Sequence, residues 1–208
     1  MEDVMWNLAE MVPTFLHRSK MLMESGMYAN RIKVKTMHQD FRSLSDSFTQ
    51  WFIEFERQHD LPTHFLQNLE QYTLEPYNAI FGFLNLRTAD ILVSYWMHLF
   101  VLISRALEFQ THFAADLSEA VRTQEDDVTQ VAGHICRSAE WIFFCQKRGF
   151  ERLVRAYAPL RLVFEWYWLQ PEKFAEELRW CWTVLEDMAV REPQGGLCLL
   201  YTSPSPRD

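Results

Sequence analysis

The chain has 208 residues, enough for one domain with a sizeable core. Its hydrophobic fraction of 49% and aromatic fraction of 15% exclude a disordered polar chain, which lacks the apolar surface to offset the entropy of ordering. A formal charge of −8 argues against direct nucleic-acid binding, because phosphate-binding surfaces carry a basic stripe.

With only 6 Gly and 8 Pro, the chain suits long helices and short turns better than a β-sandwich. Val4, Leu8, Met11/Val12, Phe15 and Leu22 follow helical spacing, with Pro13 as a kink or break and Gly26 as a stop. A second helix is expected from about Tyr28 to Gln58, on Ile32, Met37, Phe41, Leu44, Phe48, Trp51/Phe52 and Phe55. Its RIKVK run at 31–35, with Arg42 beyond it, is the nearest approach to a basic patch and reads as a solvated helix face. HDLPTH at 59–64 is a turn, with Pro62 barring continuation. His59 and His64 lack HExxH spacing and read as turn residues. Residues 65–87, broken by Pro76 and Gly82, form a connector with at most one short helix.

Thr88 or Asp90 is expected to cap the next helix, which runs to about Phe113. Its ILVSYWMHLFVLISRAL stretch, 91–107, is short for a membrane span and is interrupted by His98 and Arg105. Being apolar nearly all round, it reads as a central core helix. Thr123 and Asp126 resemble a capping box opening a helix to Arg148, with Gly149 as its stop. Pro159 and Pro171 each suit a first helical turn, which divides the remainder into a short segment at 150–157 and helices at 159–169 and 171–190. The expectation is an all-α fold, a single helical domain over 1–192 with about six or seven helices and an aromatic-rich core. LCLLYTSPSPRD at the end has two Ser-Pro steps and no periodicity, and resembles the adaptor-like peptide of assembled transcripts. Residues 193–208 are expected to be a disordered tail, non-native from about Gly196.

HICRSAEWIFFCQKRGF, 134–150, looks most like chemistry. At about 100° per residue, His134 and Cys136 diverge by about 160° and Cys136 and Cys145 by about 180°, so the three do not close on one ion. The four cysteines, Cys136, Cys145, Cys181 and Cys198, form no CxxC pair and, with no signal peptide at Met1, read as reduced thiols of an intracellular protein. Glu125-Asp126-Asp127 invites comparison with the DDxxD metal motif of terpene synthases. DDVTQ lacks the third carboxylate, and a helix start explains the acids. No GxSxG, GxGxxG or GxxxxGK[ST] occurs, and Ser104, Ser118 and Ser138 have no indicated base. No catalytic, cofactor-binding or metal residue is expected, and the chain does not read as an enzyme. Trp166-Tyr167-Trp168 and Trp180-Cys181-Trp182 point to several helix faces, either as a thick aromatic core or as anchors lining a pocket or partner groove.

Two segments resemble the fungal-specific regulatory region of binuclear-cluster (Zn2Cys6) transcription factors. ADILVSYWMHLFVLISRALE, 89–108, is similar to that family's helix of small residues followed by aromatic and Leu-rich turns. HICRSAEWIFFCQKRGFERLVRAYAPLRLVFEWY, 134–167, is similar to its I-C-R-S helix, variable turn and PLR-apolar helix, here Pro159-Leu160-Arg161-Leu162-Val163. The resemblance implies a nuclear regulatory domain acting through protein partners of the transcription machinery or self-association, with a small effector as a further ligand class. It supplies no catalytic residues, and it makes Cys136 a small buried packing residue. The family's basic six-cysteine cluster is not in this chain, so neither a zinc cofactor nor DNA recognition is carried over. A free-standing helical interaction module and, further off, an α-helical enzyme with an aromatic pocket are the alternatives.

Overall fold

A computed structural model of the chain describes residues 2–26, 30–59, 62–67, 76–77, 79–114, 117, 125–145 and 150–191. Among these, the elements in chain order are α1 (Glu2–Ser25), α2 (Arg31–Arg57), β1 (His64–Gln67), β2 (Ile80–Phe83), α3 (Leu86–His112), α4 (Glu125–Cys145), α5 (Phe150–Trp168) and α6 (Ala175–Arg191). Among the described residues the fold is all-α with one small two-stranded sheet. Two compact units divide it: Met1–Thr63 with Ser94–Ala132, and His64–Val93 with Gly133–Asp208, so that α3 and α4 each lend residues to both.

In the first unit α1 runs through Pro13 without a break. Pro13 sits on the exposed side, while Val12 and Phe15 are buried and hold its flanking turns. The helix stops at Gly26, whose φ of +51° is the left-handed conformation that glycine adopts without a Cβ clash. Asn30 caps α2, its side chain accepting a hydrogen bond from the Ile32 amide at 2.8 Å. α1 and α2 are antiparallel: Phe15 meets Phe41 and Arg18 pairs with Asp40, while Val4 and Leu8 share a groove with Trp51 and Glu54. Phe41 continues to Phe109 on α3, and Trp51, Phe52 and Phe48 gather round Tyr95, the Phe52 and Tyr95 rings stacked with centroids 5.1 Å apart. In the basic run, Arg31, Lys33 and Lys35 are exposed and Val34 is buried, as on a solvated helix face.

α3 has the length and apolar composition of a membrane-crossing helix, and 61% of its most apolar window is buried inside the protein, as a core helix requires. Its cap differs from the expectation. Asn85, not Thr88 or Asp90, accepts the Thr88 amide at 2.9 Å, which puts those two residues inside the helix.

In the second unit the two ends of the expected connector form a strand pair, and residues 68–75 between them lie outside the described residues. β1 and β2 are antiparallel, with His64 opposite Phe83 and Gln67 opposite Ile80. Ile80-Phe81-Gly82-Phe83 is rich in residues that suit a pleated surface, and all four are buried. So short a pair depends on packing: Phe81 stands edge-on to His134, and Phe83 to Trp141, both on α4. The capping box at Thr123 and the Gly149 stop lie outside the described residues, as does the tail 193–208.

Two proline expectations are corrected. Pro159 lies in the middle of α5, which is one continuous helix, and not at the start of a new one. It is buried, and Ala156, Leu160, Val163 and Tyr167 on the same helix are buried with it, so tertiary packing overrides a local cost of about 3 kcal/mol. Pro171 lies in the turn before α6, where the Lys173 and Phe174 amides both donate to the Gln170 carbonyl.

Candidate functional site

The stretch that begins at His134 lies on α4 and packs in the second unit. Ile135, Cys136, Ser138 and Ala139 are all within 1% of full burial. Cys136 is therefore a buried packing residue, as the sequence suggested. Its sulfur lies 3.9 Å from that of Cys181 on α6, and both thiols are free. Above them the Tyr77 and Tyr167 hydroxyls share a hydrogen bond of 2.7 Å. The Tyr77 ring stands edge-on to Trp180 at 4.9 Å, and the Arg137 guanidinium lies over its face at 5.2 Å. A Cβ at Gly133 would come within 3.1 Å of the Arg137 guanidinium, which would have to give way by a few tenths of an ångström.

The electrostatics of this knot favour neutral groups. Burial, reinforced by the nearby Cys136 sulfur, raises both tyrosine hydroxyls well above their ordinary range. Burial also raises the Cys181 thiol, with its hydrogen bond to Cys136 adding to the effect. His134 moves the other way, to about 4, chiefly through burial and then through repulsion from Arg137 and His64. At neutral pH these groups are protonated phenols, a protonated thiol and an uncharged imidazole. The protonated phenols and thiol pack and hydrogen-bond and are poor nucleophiles, and the imidazole, its pKa lowered by burial, is a weak base.

The other sequence candidates are occupied locally. The Ser104 and Ser138 hydroxyls donate to the Val101 and His134 carbonyls, and Ser118 lies outside the described residues. His59 Nδ1 lies 2.7 Å from the Phe55 carbonyl, and His64 stands edge-on to Phe81. Glu125, Asp126 and Asp127 occupy the first turn of α4, where carboxylates complement the helix dipole. Among the described residues no three His, Cys, Asp or Glu side chains gather as a metal site would require. The side chain of Cys145 and the whole of Cys198 lie outside the described residues.

The aromatic triplets divide between two roles. Tyr167, Trp180 and Cys181 are buried, whereas Trp168 and Trp182 are 49% and 48% exposed, too much for core residues. Phe164 bridges the two exposed indoles, at 5.9 Å from Trp168 and 6.0 Å from Trp182. A second surface feature is an open groove of about 880 Å³ between α1 and α2, lined by Val4, Leu8, Arg42, Asp46, Trp51 and Glu54. Its charges are already paired, Arg42 with Asp46 and Glu54 with Arg57. The approach of Cys136 to Cys181 and of Tyr77 to Tyr167 left no sequence signal, since each pair joins distant segments. The exposed indoles did leave one, in the triplets. Comparison of the chain with family models, curated proteins and solved structures finds no match.

Proposed function

We propose that this chain is a regulatory region of a fungal-type transcription regulator, acting in the nucleus through protein contacts and without a DNA-binding cluster of its own. The observation that carries the reading is the order of the two segments at 89–108 and 134–167, with their I-C-R-S and PLR-apolar runs. Burial of Ile135, Cys136 and Ser138 on α4 and of Leu160 and Val163 on α5 supports treating those runs as packing signatures of a helical domain. The exposed aromatic strip on α5 and α6 supports action through contacts, because clustered exposed aromatics anchor partner surfaces. Chemistry at the buried knot is a weaker alternative, since its phenols and its Cys181 thiol are held protonated and its imidazole is a weak base.

Tethering tests this directly. The full chain, fused to a heterologous DNA-binding domain in a fungal host, is expected to change transcription of a reporter several-fold. A fusion that reaches the nucleus, occupies its site and leaves the reporter unchanged would overturn the reading. Sequencing of the transcript upstream of Met1 adds an independent check, with an in-frame basic six-cysteine segment as the expected result.

A further inference from the structure

α6 turns Trp180, Cys181, Val184, Leu185 and Met188 inward and shows solvent Ala175, Glu176, Arg179, Trp182, Thr183, Glu186 and Val190. At about 100° per residue, all but Glu176, which lies just beyond the edge, form a strip about 100° wide on the side opposite the buried set. The strip is symmetric in spacing: steps of four, three, one, three and four residues run outward from a centre between Trp182 and Thr183. Its chemistry is complementary about that centre. Arg179 mirrors Glu186, and the apolar Ala175 mirrors Val190. Neither Arg179 nor Glu186 forms a side-chain ion pair among the described residues.

We infer that this face of α6 seats a second copy of the chain, helix against antiparallel helix, about a two-fold axis passing between Trp182 and Thr183. Such an axis sets Arg179 of each copy against Glu186 of the other, twice over, and Ala175 against Val190 at both ends. A parallel pairing would instead set Arg179 on Arg179 and Glu186 on Glu186, so the charges select the antiparallel arrangement. The indole of Trp182 falls beside the axis, where it leaves water against its counterpart. Through Phe164 the apolar strip continues to Trp168 on α5, which widens the contact beyond a single helix crossing. Val190 is 76% exposed, an apolar side chain that a partner copy would cover. One 17-residue helix with these flanking rings makes an interface at the small end of the specific range, about 1,200 Å² in total, so micromolar association is expected. The dimer stands or falls independently of any role in transcription.

Sedimentation velocity of the full chain over roughly 1–200 µM reads this equilibrium. The wild-type chain is expected to pass from monomer to dimer across that range. Arg179→Glu sets carboxylate against carboxylate at both mirrored contacts, and Glu186→Arg sets guanidinium against guanidinium; each should weaken the dimer about tenfold or more. The double reversal, Arg179→Glu with Glu186→Arg, rebuilds both contacts with the signs exchanged and should restore it. That rescue distinguishes pairing of the two positions from damage to the fold, and an unchanged helical circular dichroism spectrum in each variant checks the same point. A wild-type chain that stays monomeric throughout overturns the inference, whether residues 193–208 or another protein then holds the face. So does a dimer indifferent to the single reversals.

Discussion

Tyr77 and Tyr167 meet hydroxyl to hydroxyl at 2.7 Å across a sequence separation of 90 residues. Both are buried, at 6% and 0% exposure, so each hydroxyl depends on the other for a partner that water would otherwise supply. The bond ties the segment before β2 to α5, and Trp180 and Arg137 enclose the Tyr77 ring on the edge and the face. The polar centre of the second unit is thus small, two hydroxyls that stay neutral with the Arg137 guanidinium over one ring.

Removing one hydroxyl strands the other. Tyr77→Phe or Tyr167→Phe is expected to cost about 1–2 kcal/mol, mostly the penalty of an unsatisfied buried group. The double variant strands nothing and should cost no more than either single one, which gives a clear coupling in a double-mutant cycle. Urea denaturation of the four proteins measures this. Strictly additive losses would mean that the two hydroxyls do not depend on each other.

The thiols of Cys136 and Cys181 should be silent in the native protein. Both are buried, and burial together with the Cys136 hydrogen bond holds the Cys181 thiol protonated at neutral pH. Alkylation followed by peptide mapping should show both labelled at least about a thousandfold more slowly than a free thiol, because reagent must wait for local opening. Rapid labelling of either position would show that α4 and α6 part easily.

The helices were legible in the sequence because their apolar residues repeat over many turns, as at Phe41, Leu44, Phe48, Trp51 and Phe55, all of which prove buried. The strands were not, since four residues such as Ile80-Phe81-Gly82-Phe83 are too few to show a period and Gly82 looks like a breaker. Pro159 misled because local propensity speaks for a helix start, while burial of Leu160 and Val163 on either side of a turn keeps α5 whole. The divided roles of the aromatic triplets were half visible. Helix geometry showed that Trp180, Cys181 and Trp182 could not share a face, but which of them turned inward depended on packing with Tyr77 and Cys136.

Asn85 offers a test of a boundary that the sequence placed too late. Its side chain accepts from the Thr88 amide at 2.9 Å and from the Thr88 hydroxyl at 3.2 Å, so it satisfies a donor at the start of α3. Asn85→Ala is expected to cost about 1 kcal/mol, and Asn85→Asp, which keeps the acceptor, no more than a few tenths. Thermal or urea unfolding of the two variants decides it. Equal losses in both would mean that the cap contributes nothing.

His134 should make stability depend on pH. In the folded chain it binds a proton only at about pH 4, because burial disfavours the charged ring and Arg137 and His64 repel it. In the unfolded chain it binds at its ordinary value of about 6.5. Between those values the unfolded state holds more protons, so stability rises with pH through this window. The contribution is fully present above about pH 6.5 and is lost progressively as pH falls towards 4, a loss of about 3 kcal/mol. Partly buried His38, lowered first by burial and then by Arg42, adds a smaller dependence of the same sign. Carboxylates also titrate in this range, so the informative quantity is the difference between wild type and His134→Gln. Urea unfolding at a series of pH values should show the wild type losing about 3 kcal/mol more than the variant between pH 7 and 4. Identical slopes would mean that His134 takes up its proton without leaving its place beside Phe81, and that the buried ring is not what makes α4 sensitive to acid.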